Sequence, residues 1–99
     1  MADLIAQGPL PDQRWRRKLK NGVRLVMGRQ SEDWSVPWDD RISRRHVTLT
    51  YEHGRLRVEV LPAARNPVFF RGTRCTQFQL RPGEHFVIGQ TTFTLVDEP

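Results

Sequence analysis

Three side chains in one short stretch have the chemistry to hold a tetrahedral dianion. They are Arg29, which follows Gly28, and then, fourteen residues on, Ser43 and Arg44 at the head of Ser43-Arg44-Arg45-His46. A guanidinium presents a planar fork of donors, a hydroxyl adds another, and charge-assisted hydrogen bonds are stronger than neutral ones. The chemistry that suits these residue types is the reading of a phosphate. Each half alone is weak, because Gly-Arg is a common pair and Ser-Arg-x-His also suits a solvated basic turn. Trp34 to Asp40, between the halves, has aromatic anchors and turn formers without helical spacing. Its task is to fold the halves together.

The other reactive residues do not add up to catalysis. Cys75 and His85 lie in separate strand-like segments, and nothing in the sequence brings them together. His46, His53 and His85 with one cysteine lack the short ligand spacing of a zinc site. Asp39 and Asp40, adjacent in an extended segment, point their carboxylates apart. There is no glycine-rich phosphate loop before a helix and no helix for a DNA groove. The expectation is no enzyme, no catalytic residue, no metal and no cofactor.

The elements that must position Arg29 and Ser43 read as strands. Val47, Leu49 and Tyr51 alternate with Thr48 and Thr50; after Glu52-His53-Gly54, Leu56, Val58 and Val60 alternate with Arg55, Arg57 and Glu59. A period of two marks a hairpin with one buried face. Arg14 to Lys20 reads as a first strand. Asn21-Gly22 follows, a pair suited to the two positive φ values of a type I′ hairpin turn, and Val23 to Met27 reads as the returning strand that delivers Gly28 and Arg29 to a loop. Gly28 either adopts a backbone conformation closed to other residues or lets another segment approach closely. Further strands are expected at Val68 to Phe70, Thr76 to Leu80, and in a closing hairpin of Phe86 to Ile88 with Phe93 to Val96. Arg81-Pro82-Gly83-Glu84 is a turn. Many short strands between frequent turns predict an all-β sandwich or barrel.

Ninety-nine residues suffice for one compact core, since a chain of this size buries about 60–70% of its unfolded surface. Gly8-Pro9-Leu10-Pro11 disfavours helix and strand, so residues 1–12 are expected to be a flexible tail and residues 13–97 the domain. No apolar run approaches the roughly 20 residues of a membrane span. The absence of a secretory pattern and the single Cys75 favour the cytoplasm. Ending at Asp97-Glu98-Pro99, just after the last strand, the chain reads as one module of a longer signalling protein whose other domains are potential partners.

The formal charge is +5, with fourteen arginines against two lysines. Such a balance attracts phosphate, phosphopeptides or nucleic acid without choosing among them. Compositional bias with solvated arginines accounts for the count equally well. The basic run from Arg14 to Lys20 is better read as a charged strand that discourages edge pairing than as a nucleic-acid or lipid patch.

Taken together, Gly28-Arg29, Ile42-Ser43-Arg44-Arg45-His46-Val47, Asn66, Leu80-Arg81-Pro82-Gly83-Glu84 and Ile88-Gly89 resemble the forkhead-associated (FHA) domain, from about Arg14 to Val96. The resemblance implies a largely antiparallel β-sandwich of roughly eleven short strands that binds phosphothreonine-containing proteins or peptides. It implies that Arg29 reaches the phosphate, that Ser43 donates its hydroxyl and is placed to offer its amide, and that Arg44 closes the cradle. Asn66 would hold the peptide backbone and Arg65 would touch the ligand. Gly28 and His46 would be structural, and Arg41 would favour acidic residues after the phosphothreonine. Because neighbours in an extended segment alternate, only one of Arg44 and Arg45 is expected to face the ligand. The chain departs from the family's Ser-x-Asn-Gly-Thr pattern with Ala64-Arg65-Asn66-Pro67-Val68. A phospho-independent interaction module is the second reading, and a basic nucleic-acid-binding domain, resting on charge alone, the third.

Overall fold

The computed structural model describes residues 1–97, so Glu98 and Pro99 lie outside the described residues. The regular elements in that range are eleven strands and no helix. In chain order they are β1 (Ala2–Gln7), β2 (Arg14–Lys18), β3 (Arg24–Gly28), β4 (Trp34–Ser35), β5 (Val47–Glu52) and β6 (Arg55–Val60). These are followed by β7 (Val68–Phe70), β8 (Thr73–Cys75), β9 (Gln77–Leu80), β10 (His85–Ile88) and β11 (Thr91–Asp97). They form a six-stranded sheet, β2-β1-β11-β10-β7-β8, and a five-stranded sheet, β4-β3-β5-β6-β9. Among the described strands, the one parallel strand pairing is β3 with β4, and an isolated parallel bridge joins Asn21 to Tyr51. No helix among the described residues is long and apolar enough to cross a membrane.

Alternation along most strands builds the core. Leu4, Phe86, Ile88, Phe93 and Leu95 point inward from one sheet, and Met27, Val47, Leu49, Leu56, Val58 and Leu80 from the other, all at most 1% exposed. Phe70 of β7 stacks on Phe78 of β9 at 4.7 Å, joining the sheets where both are short. Burying a side chain of this size contributes about 1.5–3 kcal/mol. The expected hairpin from Val47 to Val60 forms, with Glu52 opposite Arg55, and so does the closing hairpin of β10 and β11.

Two expectations need correction, and one strand was not anticipated. Residues 1–12 are not a tail throughout, because Ala2–Gln7 is a strand paired with both β11 and β2. The breakers Gly8 to Pro11 end that strand and turn the chain back, with the Gly8 amide donating to the Gln13 carbonyl at 2.7 Å. Nor does Asn21-Gly22 close a hairpin: β2 and β3 lie in different sheets. Only Gly22 has positive φ there, at 78°, and the Val23 amide donates to the Lys20 carbonyl, the pattern of a type II turn that sends the chain across the sandwich. The type I′ pattern of two positive φ values occurs instead at His53-Gly54 (54° and 72°) and Arg71-Gly72 (54° and 74°). The second of these creates β8, a strand not anticipated from the sequence.

Candidate functional site

At the end of β3 the chain is in contact with the segment that carries the serine. A Cβ on Gly28 would lie 2.1 Å from the Arg44 carbonyl oxygen and 2.7 Å from that of Ser43, and Gly28 is not among the residues of positive φ. Close approach, rather than an unusual dihedral, is what demands glycine here. The gap is used by hydrogen bonds: Arg29 N–H donates to the Ser43 carbonyl at 2.9 Å, and Gln30 N–H to that of Arg44 at 3.3 Å. Arg29 and Ser43 are thereby neighbours across fourteen residues of chain.

The connecting segment is held from beneath. Trp34, Val36 and Ile42 are buried, and Trp38 Nε1 donates to Thr91 Oγ1 at 3.0 Å. The buried Asp39 carboxylate accepts three hydrogen bonds, from Gln90 N–H and Thr91 Oγ1–H at 2.8 Å each and from Arg41 N–H at 3.1 Å. Asp39 and Thr91 had no role in the sequence reading. The signal was the adjacent Asp39-Asp40 pair: with carboxylates pointing apart, one faces inward and organises the loop. Asp40 stays exposed, and its carbonyl accepts from Arg29 Nη1 at 3.1 Å.

His46, fully buried, joins this segment to the loop between β6 and β7. Its Nδ1 accepts the Ser43 amide hydrogen at 2.9 Å, so Nε2 carries the ring proton and donates to the Asn66 carbonyl, also at 2.9 Å. Burial pushes its pKa below the ordinary value, opposed in part by the Asn66 carbonyl and by Asp39. The Ser43 amide is therefore engaged inside the protein. Its hydroxyl oxygen accepts Arg65 N–H at 3.1 Å, which leaves the hydroxyl hydrogen free to donate. Asn66 reaches back with Nδ2 to the Arg41 carbonyl at 2.7 Å.

These bonds surround an open cavity of about 600 Å³ lined by Arg29, Asp40, Arg41, Ile42, Ser43, Arg44, Arg45, Ala63, Arg65 and Asn66. The structure thus gathers Arg29, Arg41, Ser43, Arg44, Arg65 and Asn66 in one place, with Gly28 and His46 behind them. Arg44 and Arg45 both line it, against the expectation from extended alternation, because the backbone turns at this point instead of continuing as a strand. Arg45 also borders a smaller neighbouring cavity with Gln30, Glu32 and Asp33. Donors outnumber acceptors around the larger space, a composition suited to holding an anion. Cys75 is half-buried on β8 and His85 exposed on β10, and neither lines this cavity.

The family model described as FHA domain matches residues 16–89. Among solved structures, the chain is similar to the FhaA FHA domain in complex with the intracellular domain of Rv3910, at 18% identity and a TM-score of 0.79, covering 96% of this chain and 99% of that one. An FHA domain solved in work on phosphothreonine-dependent FHA domain interactions is 18% identical, with a TM-score of 0.76 and coverage of 98% of each chain. The FHA domain of the CT664 protein from Chlamydia trachomatis is 20% identical, with a TM-score of 0.77 and coverage of 98% and 99%. No curated protein matches the chain at a significant level.

Proposed function

Because this chain belongs to the FHA domain family, we propose that its arginine-lined cavity binds phosphothreonine-containing segments of partner proteins. The observation that carries the reading is the convergence of Arg29, Ser43 and Arg44 on one open cavity. Arg29 and Arg44 supply charged donors to the phosphate and Ser43 a hydroxyl. Asn66 engages the ligand backbone through its carboxamide, beside Arg65, while Arg41 selects acidic residues. One similar FHA domain is described by phosphothreonine-dependent interactions and another is complexed with a partner protein, which supports extending this activity here. In this reading the chain acts as a non-catalytic, cytoplasmic interaction module.

Titration with matched peptides carrying threonine or phosphothreonine tests the reading. Binding of the phosphorylated peptide alone is the expected result, and equal binding of both would overturn it. Ala64 and Pro67, in place of the serine and glycine of the family pattern, favour the phospho-independent module as the second reading.

A further inference from the structure

The six-stranded sheet ends on β2, with no strand beyond it. Of the four edge strands among the described residues, β2, β8, β4 and β9, it is the longest, with five residues. Trp15 holds it in place: the indole packs edge-on against Trp34 at 5.4 Å, and its Nε1 donates to the Ser35 carbonyl at 3.0 Å. No residue of β2 lines the arginine-rich cavity.

The register fixes what this edge presents. Leu19 N–H donates to the Ala2 carbonyl at 2.9 Å and Gly8 N–H to the Gln13 carbonyl at 2.7 Å, one at each end of the ladder with β1. Bonded and non-bonded pairs alternate along an antiparallel ladder, so Leu4 with Arg17 and Ala6 with Trp15 are the bonded pairs between those ends. Arg14, Arg16 and Lys18 therefore aim their backbone N–H and C=O groups away from β1. Their side chains lie on the outer face opposite Gln7, Ile5 and Asp3, while Trp15 and Arg17 share the inner face with the buried Leu4 and Ala6.

Charge then selects the occupant. Four of the five residues of β2 are cationic, and all four are exposed. Arg16 pairs with Asp3, but Arg14, Arg17 and Lys18 have no carboxylate partner among the described residues. Arg17 lies instead over the Trp15 ring at 5.2 Å. A second copy of this strand would set cation against cation, which repels. A strand with carboxylates at alternate positions meets the same row with attraction, and its main chain can bond the open edge.

We propose that β2 is a docking edge for an acidic, extended segment of a partner protein, which adds to the sheet as a further strand. Alternate carboxylates of that segment face Arg14, Arg16 and Lys18, and the residues between them are apolar and lie beside Trp15. Such docking neither uses nor requires the phosphate cavity.

Nuclear magnetic resonance on the domain, titrated with the capped peptide Glu-Val-Glu-Val-Glu-Val-Glu, tests this. A peptide of the same composition with its glutamates in one block is the control. The alternating peptide should bind, and at saturation hydrogen exchange should slow roughly tenfold or more at the Arg14 and Lys18 amides, whereas the Trp15 and Arg17 amides, already bonded to β1, change little. Arg14→Glu/Lys18→Glu should weaken binding roughly tenfold or more, as two cross-strand attractions become repulsions. Should that variant melt early, a peptide N-methylated at its edge-facing amides carries the test, since it should fail to bind the unaltered domain. No binding at about 1 mM peptide, equal binding by the block peptide, perturbation centred on Ser43 and Asn66 instead of β2, undiminished affinity in the reversed variant, or binding of the methylated peptide overturns the proposal. A single-stranded oligonucleotide that protects the β2 amides where the alternating peptide does not would overturn it too, and assign the edge to nucleic acid.

Discussion

The ring of His46 donates from Nε2 to the carbonyl of Asn66 at 2.9 Å, across twenty residues of sequence. On its other side the same ring accepts the amide hydrogen of Ser43. One neutral imidazole thus sets the separation between the serine and the asparagine of the cavity.

A pH dependence of stability follows. Burial holds the His46 pKa below its ordinary value of 6.5. Above that value neither the folded nor the unfolded chain binds the proton, and the neutral ring contributes fully. As pH falls below it, the unfolded chain takes up a proton that the folded chain excludes, so stability declines until pH passes the lowered folded value. Thermal melts should give a lower Tm at about pH 5.5 than at about pH 7.5, with part of that slope removed in His46→Ala. The variant itself should melt lower by roughly 10 °C, because the Ser43 amide and the Asn66 carbonyl, both part-buried, lose their bonds.

Arg29→Ala should remove most phosphothreonine binding while the fold survives, since the Arg29 side chain sits at the cavity wall and, among the described residues, bonds only the Asp40 carbonyl. A charged hydrogen bond contributes about 1.5–3 kcal/mol, or tenfold to a hundredfold in affinity. Ser43→Ala should cost less, through the lost hydroxyl donor and the loosened Arg65 amide. Calorimetry paired with melting curves separates binding from folding; unchanged affinity in Arg29→Ala would remove that residue from the site.

Substitution of Gly28 by alanine should be disproportionately harmful for a single methyl group. Its Cβ would overlap the Arg44 carbonyl, a backbone atom that yields only if the 43–46 segment moves off β3. Overpacking of this kind typically costs about 1–3 kcal/mol. Both Tm and phosphopeptide affinity should fall. An alanine variant with native stability and binding would show that the segment has room to shift.

Asp39→Ala should unfold the loop from below. Three donors, on Arg41, Gln90 and Thr91, would lose their acceptor, and a buried unsatisfied donor costs about 1–3 kcal/mol. Hydrogen exchange should speed up at the Gln90 and Arg41 amides, and Tm should drop by roughly 10 °C or more. Exchange rates like those of the unaltered protein would contradict the anchoring role.

Asn66→Ala is expected to weaken phosphopeptide binding roughly tenfold or more, the scale of one or two hydrogen bonds, because it would remove the proposed contact to the ligand together with the bond to the Arg41 carbonyl. Pro67→Gly should change little, since the proline only restricts the residue before it and its own φ. Strong gain in Pro67→Gly with no effect of Asn66→Ala would move the phospho-independent reading to first place.

Much of this protein was legible along the chain, because the information was local. A period of two in Val47 to Val60 and Phe93 to Leu95 specifies strands with one buried face, and Gly54 and Gly83 sit where turns need positive φ. The Gly28-Arg29 and Ser43-to-His46 stretches indicated phosphate chemistry by residue type. Where local signals compete, sequence alone was a poorer guide. Gly8 to Pro11 breaks structure equally well in a tail or between two paired strands, and only the register of Ala2–Gln7 against β11 distinguishes them. Asn21-Gly22 suits several turns, and the pull of Trp15 and Leu25 toward opposite sheets of one core decides which one forms. The inward turn of Asp39, the contact that makes Gly28 a glycine, and the bond from Asn66 to the Arg41 carbonyl all depend on chain segments distant in sequence. Pairings at such range are set by the packing of the whole sandwich, which no short window of residues contains.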